Sequence, residues 1–358
     1  VGTIKKKILL IGYDSNIGLG VLACLRNQGF QFYLLTHNLK NAARYSRYIS
    51  KTFYYNANDD SLKDKILQIV KHFQIDFIMP YDELEIRYVT IHKELFSNYA
   101  TCILGTDAVN FDIGIHKEKL ASFLSTNNMP CPSYASLEDK LLIDKLVSKC
   151  GFPLLLKPVR MASGRMIRKV YDKASLDKIL IENQDQLSNF LLQPFIIGND
   201  VTCNVICKNG IIICYTIQES PVKMGSNFTT NDTLYFHDDP EVQAIVANMM
   251  KALHWNGVAC IDLRRDAKTR KLYILEINGR FWASVVPSFI KAGVNFPLIL
   301  LKISLGELVM IPPMKSAIQV SLKQYIHSLL HFGKLKFSDT KYGIYFCDPI
   351  ARFLQMVS

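Results

Sequence analysis

Four residues in the last third of the chain, Asp262, Glu276, Asn278 and Arg280, have types and spacing suited to chemistry on an anionic substrate. Two apolar runs, 258–263 and 272–277, flank a charged segment around Lys268, the pattern of a β-hairpin. A turn centred near Lys268 sets Asp262 roughly opposite Glu276. Glu276 and Asn278, two apart in a strand, point to one face, so three oxygen-bearing side chains converge with Arg280 close behind. Mg²⁺ demands hard oxygen ligands and takes one or two carboxylates together with phosphate oxygens. A guanidinium beside such a set suits a phosphate or a carboxylate through its planar fork. The competing reading pairs Asp262 and Glu276 with neighbouring arginines on a solvated face, which gives no reason for the spacing of Glu276 and Asn278.

The segment E-I-N-G-R at 276–280 resembles the E-x-N-x-R signature of the ATP-grasp superfamily, and the run EINGRFWAS at 276–284 resembles carbamoyl-phosphate-synthase-like or carboxylate–amine ligase members. The similarity covers nearly the whole chain in the family's order. It implies an α/β protein: an N-terminal parallel α/β (pre-ATP-grasp) domain over 1–107, then a two-subdomain ATP-grasp α+β fold over 108–312. Its smaller central subdomain spans about 108–192 and its metal-binding subdomain about 193–312, with a C-terminal extension over 313–358.

Carried over residue by residue, Lys117 stands at the first nucleotide-contacting lysine, with His116 where the family commonly has aspartate. Lys157 stands at the second, expected at the α- and β-phosphates and, with Arg280, in the catalytic set. Ser163 and Gly164, in a short loop at 161–165, match the phosphate cover. Gln193, Phe195 and Ile196 match the adenine hinge, where Gln193 replaces the usual glutamate and Pro194 removes a backbone donor. Asp200 stands at the ribose. Asp262, Glu276 and Asn278 would hold Mg²⁺, with Mn²⁺ able to substitute. Lys223 lies in a second candidate cover at 222–227. Trp282 and Ser284 would line the acceptor pocket, with a core position as the alternative for Trp282. The resemblance implies an ATP-dependent ligase that activates a carboxylate as an acyl phosphate for an amine, with small-molecule carboxylate and amine substrates. GTP stays open as the nucleotide. The alternatives are an ATP-grasp carboxylase or kinase, or a nucleotide-binding protein without ligase turnover.

Those residues need a scaffold. Apolar runs at 7–11, 31–35, 77–80 and 101–105 alternate with helical patterns at 17–28, 61–73 and 83–96, as in a parallel α/β sheet. The first run ends in a glycine-bearing turn, 12–20, whose free N–H groups could receive an anion. It lacks the G-x-G-x-x-G spacing, and Thr36-His37-Asn38 stands where a dinucleotide site has an acid, so a tight packing turn is the simpler reading. Asp82 follows the 77–80 run; ligands bind beyond strand C-termini in such sheets, which makes Asp82 a substrate candidate, with a helix N-cap as the alternative. Farther on, a helix through Lys117 runs to 127 and an amphipathic helix covers about 241–253.

With 49% hydrophobic and 20% charged residues, the chain has ample material for a core. Its nine cysteines show no CxxC pair and read as reduced core residues. The formal charge of +11 is dispersed along the chain and not gathered into a basic block, which disfavours nucleic acid. No stretch reaches the ~18–20 uninterrupted apolar residues of a spanning helix, and the first residues read as a strand and not a secretory signal, so a cytoplasmic protein is expected. His327 and His331 have i,i+4 spacing but no acid between them, and read as a surface helix face. The aromatic and basic stretch at 342–353 suits a homo-oligomer contact or a membrane surface; the sequence specifies neither.

Overall fold

In the computed structural model, which describes residues 5–57, 61–160, 166–220, 233–331 and 333–357, the chain opens with five parallel strands. They are β1 (Lys7–Ile11), β2 (Gln31–Thr36), β3 (Ile49–Tyr54), β4 (Phe77–Pro80) and β5 (Thr101–Cys102), in the order β3-β2-β1-β4-β5. β1 and β4 fall where the apolar runs place them, while the 101–105 run yields only two paired residues. β3 carries no sequence signal of its own, because its ISKTFY segment is a partly exposed edge strand with no apolar run. The first helix, α1 (Ser15–Leu25), starts earlier than expected because Asp14 caps it, accepting from the N–H groups of Asn16 and Ile17. Helix α2 is Leu62–Phe73. The helix expected over 83–96 is two, α3 (Glu83–Ile91) and α4 (Lys93–Ser97), interrupted at His92.

The chain leaves β1 for β2 on one side and returns to β4 on the other. The crevice at the C-terminal ends of β1 and β4 is therefore a topological switch point, where open α/β sheets bind ligands.

Two helices follow, α5 (Ala108–Ile115) and α6 (Lys117–Thr126). A four-stranded sheet comes next, from β6 (Ala135–Ser136), β7 (Leu154–Pro158), β8 (Arg168–Val170) and β9 (Phe190–Pro194), in the order β6-β9-β7-β8. A six-stranded antiparallel sheet then uses β10 (Gly198–Lys208), β11 (Ile211–Ser220), β12 (Leu234–Phe236), β13 (Gly257–Asp266), β14 (Leu272–Asn278) and β15 (Ala317–Gln319), in the order β14-β13-β10-β11-β12-β15.

One continuous apolar core joins this sheet to the N-terminal one. At their junction a Cβ on Gly20 of α1 would come within 2.7 Å of Val285, and Asn295 donates to the Cys24 carbonyl at 2.9 Å. Gly20 thus lets α1 approach closely, a contact no larger residue permits without movement. The C-terminal stretch is more ordered than an irregular tail: β15 extends the antiparallel sheet, and the helix Pro349–Val357 returns to the N-terminal sheet beside Arg47 and Tyr48.

Candidate active site

β13 and β14 form the expected hairpin, and the register sets Asp262 opposite Glu276 and Cys260 opposite Asn278. The register shifts between Asp262 and Leu263, which pairs with Ile274 and leaves Leu275 over as a bulge. Such a bulge bends the strand and re-aims its side chains. Asn278 donates to both carboxylates, to Asp262 Oδ2 at 3.2 Å and Glu276 Oε1 at 3.5 Å. On the other side β10 pairs with β13, and Thr202, opposite Asp262, donates to its Oδ1 at 3.0 Å.

The two acids have different electrostatic surroundings. Burial and the adjacent Glu276 carboxylate push Asp262 well above the ordinary carboxylate range. Burial also works to raise Glu276, but the Lys117 ammonium, 2.9 Å from Oε2, outweighs it and holds this acid below its ordinary value. Asp262 accepts from the neutral donors Thr202 and Asn278 and forms no ion pair among the described residues. Two carboxylates facing across a hairpin, one of them without a cationic partner among the described residues, and a side-chain amide beside them make a hard-oxygen set that fits a divalent cation.

Lys117 begins α6, is buried, and donates its backbone N–H to the Val159 carbonyl at 3.0 Å. His116 caps the same helix: its Nδ1 accepts from the Lys119 N–H at 3.4 Å, the role an aspartate would play. Lys157, at the end of β7, is buried and donates to Gln193 Oε1 at 2.8 Å, one diagonal step across the β7–β9 pair. Burial draws its ammonium down to about 8, with Glu276 opposing the shift.

The hinge differs in detail from expectation. The Phe195 N–H is taken by the Pro153 carbonyl at 3.2 Å and does not face a base edge, because the β7–β9 ladder runs on by one bond past Pro194. Ile196 follows in the connection to β10, and Asp200 pairs with Arg264 at 3.2 Å. Ser163, Gly164 and Lys223 lie outside the described residues.

Arg280 leaves β14 toward the N-terminal sheet. Its guanidinium donates to the Phe281 carbonyl at 2.8 Å and to Asn278 Oδ1 at 3.4 Å, and burial is offset by the carboxylates of Glu83 and, more weakly, Asp82 and Asp14. Glu83, next to the expected Asp82, accepts from the Gly279 N–H at 3.2 Å and so ties the strand-end crevice to the E-x-N-x-R segment. Asp82 makes no cap bond. Its Oδ2 accepts from the N–H groups of Tyr13 and Asp14 at 2.8 and 2.9 Å, so the glycine-bearing turn spends those donors on an internal carboxylate and not on a bound anion. Trp282 takes the core position offered as its alternative: it is buried, its ring edge packs on Phe296, and its indole N–H reaches Ser288 Oγ at 3.3 Å. Ser284 donates to Gln218 Oε1 at 3.0 Å.

A family model for the ATP-grasp domain matches residues 115–284, the stretch holding both lysines, the hinge and the hairpin. Residues 115–284 are an ATP-grasp domain. A D-alanine–D-alanine ligase of Polaromonas naphthalenivorans is 26% identical over 212 residues, covering 54% of this chain and 65% of that protein. A carbamoyl phosphate synthase large chain of Archaeoglobus fulgidus is 27% identical over 231 residues, covering 61% of this chain and 21% of that protein. The chain therefore spans less than two thirds of either relative. Among solved structures, the biotin carboxylase domain of Hydrogenobacter thermophilus 2-oxoglutarate carboxylase, in complex with MgADP, ADP and bicarbonate, superposes with a TM-score of 0.69 at 17% identity, covering 88% of this chain and 74% of that one. The likeness shows that the arrangement of sheets around the ATP-grasp domain is shared beyond the matched residues.

Among the described residues no helix is long and apolar enough to cross a membrane. His327 and His331 stand on an exposed helix face with their rings stacked 4.2 Å apart, and among the described residues no three His, Cys, Asp or Glu side chains cluster to hold a metal. Two functional contacts had no sequence signal: Thr202 lies sixty residues from Asp262, and Glu83 meets Gly279 only in the folded chain.

Proposed function

We propose that the chain is an ATP-dependent ligase that activates a substrate carboxylate as an acyl phosphate and transfers the acyl group to an amine or similar nucleophile. The observation that carries this reading is the convergence of Asp262, Glu276 and Asn278 with the ammonium of Lys117 on one side and the guanidinium of Arg280 on the other. Phosphoryl transfer needs alignment and positive charge more than covalent help, and this set supplies both.

In this reading Lys157 and Lys117 hold the phosphate chain of ATP, and Gln193 fixes the Lys157 ammonium. Phe195, through its carbonyl, and Ile196 border the base, and Asp200 reaches the ribose. Ser163, Gly164 and Lys223 belong to loops that exclude water from the acyl phosphate. Asp262, Glu276 and Asn278 hold Mg²⁺, or Mn²⁺ in its place, which when bound neutralises charge on the β- and γ-phosphates. Arg280 orients the acceptor carboxylate toward the γ-phosphorus. A carboxylate oxygen bonds to that phosphorus as its bond to the β-phosphate oxygen breaks, releasing ADP. The amine nitrogen then bonds to the acyl carbon and inorganic phosphate leaves, the amine proton passing to solvent. Asp82 and Ser284 stand near the acceptor, in the crevice and after the metal strand respectively.

The test is Mg²⁺-dependent ADP release across amino acids supplied singly and in pairs, wild type beside Glu276→Gln. Turnover should require a pair of substrates and fall by on the order of 100-fold or more in the variant, with free phosphate as product. Phosphate found attached to the acceptor would make the protein a kinase. ATP that binds while no pair or acceptor stimulates turnover would leave a nucleotide-binding protein, and failure to bind ATP would overturn the reading.

A further inference from the structure

At the C-terminal ends of the N-terminal strands two acids are buried together with little positive charge. Asp82 and Glu85 are 1% and 2% exposed, and the Glu85 charge is one of those that work to raise the Asp82 carboxyl after burial itself. Asp82 Oδ2 is satisfied by the Tyr13 and Asp14 amides, yet Oδ1 has no partner among the described residues. Glu85 Oε1 accepts from the Tyr55 hydroxyl at 2.7 Å and lies 3.5 Å from His37 Nδ1, yet Oε2 has no partner among the described residues. A buried carboxylate oxygen without a donor forfeits its hydration and gains nothing in return.

Several other acids of the chain do meet a cation. Glu276 has Lys117, Asp200 has Arg264, Asp112 has Arg87, and Asp239 has Arg265. With 42 Lys and Arg against 31 Asp and Glu, positive side chains are in surplus. The nearby guanidinium, Arg280, is engaged by Asn278 and the Phe281 carbonyl. His37 offers one imidazole nitrogen, shared with the Tyr55 hydroxyl at 2.9 Å, against two carboxylates. The outer wall is aromatic: the Tyr13 ring, 41% exposed, lies 5.3 Å from that of His37.

We propose that Asp82, Glu85 and Tyr13 form the subsite for a cationic group of the acceptor, an alkylammonium carried by the same molecule whose carboxylate lies at Arg280. The proposal rests on the ligase reading for the carboxylate end. The ammonium supplies the N–H donors that Asp82 Oδ1 and Glu85 Oε2 lack, and the Tyr13 face adds a cation–π contact as its exposed side chain turns aside to admit the group. Arg280 and this acidic pair sit on one crevice with opposite charges, so a zwitterionic acid is held at both ends and an uncharged-tail acid at one.

The experiment uses the full chain and matched acids that differ in the ammonium: lysine against norleucine, and alanine against propionate. Calorimetry without nucleotide should show at least one ammonium-bearing acid binding 10-fold or more tightly than its partner. Glu85→Gln should erase that preference; in MgATP assays it should raise KM for that acid about 10-fold with kcat within twofold. A wild type that binds both members of each pair equally overturns the proposal and needs no variant to do so, as does an undiminished preference in a Glu85→Gln protein of unchanged thermal midpoint. If the ammonium preference holds while ATP does not bind, the ligase reading falls and the subsite stands. Pairwise turnover without ammonium preference gives the reverse.

Discussion

Burial gives Lys157 a titration within reach of ordinary experiments. Its ammonium, drawn down to about 8 by desolvation, becomes more firmly protonated when a polyphosphate lies beside it. The sign follows: below pH 8 the charge is present before and after binding, and above it the free protein must take up a proton to bind. ATP affinity should therefore hold steady from pH 6.5 to 7.5 and fall as pH rises from 8 to 9.5, approaching 10-fold per unit at most. Lys157→Arg should flatten that fall, as read from nucleotide titrations at each pH. The residues of the hairpin were legible from sequence because strand alternation and one charged turn determine which side chains meet. The family resemblance singles out Lys117, but its ion pair with Glu276 has no sequence signal, since α6 and β14 are joined only by tertiary packing. The same holds for Asp82, whose position was noticed and whose contact with the Tyr13 and Asp14 amides was not, and for Glu83, whose partner lies 196 residues away.

At the level of elements, the β10–β13–β14 ribbon does the positioning, and its register depends on close backbone approach at Gly198. A Cβ there would lie 1.9 Å from the Arg265 carbonyl oxygen, and backbone cannot move aside as a side-chain tip can. Gly198→Ala should cost about 1–3 kcal/mol in urea unfolding and also lower ADP release, because Thr202 and Asp200 lie on that strand and hold Asp262 and Arg264 across on β13. A surface control on β10 such as Lys208→Ala should leave both within error. The start of α6 makes a milder prediction. His116 can cap only with an unprotonated Nδ1, and burial together with Arg160 lowers its pKa and keeps it so. His116→Asp should stabilise the chain by roughly 0.5–1 kcal/mol in thermal unfolding at pH 6, where a carboxylate is still ionised. The long apolar strands were readable from the sequence, whereas β3 and the break at His92 were not: an exposed edge has no apolar signature, and a helix interrupted by a single residue keeps its periodicity.

Across the whole molecule, the N-terminal sheet and the ATP-grasp domain share one core, and the last helix closes on the first sheet. Asp348 accepts from the Arg47 N–H at 3.3 Å, Tyr48 donates to the Cys347 carbonyl at 3.3 Å, and Ala351 is fully buried. Removing 349–357 should lower the unfolding free energy by about 2 kcal/mol or more and speed amide exchange in α1, while exchange in β13 and β14 changes little. Hydrogen exchange read by mass spectrometry separates the two regions. A ribosome makes the Tyr48 side of this contact some three hundred residues before the Cys347 side. The face that receives the helix 349–357 is therefore made some three hundred residues ahead of it and stays uncovered until that helix emerges, so over that interval the nascent chain offers an apolar surface to chaperones.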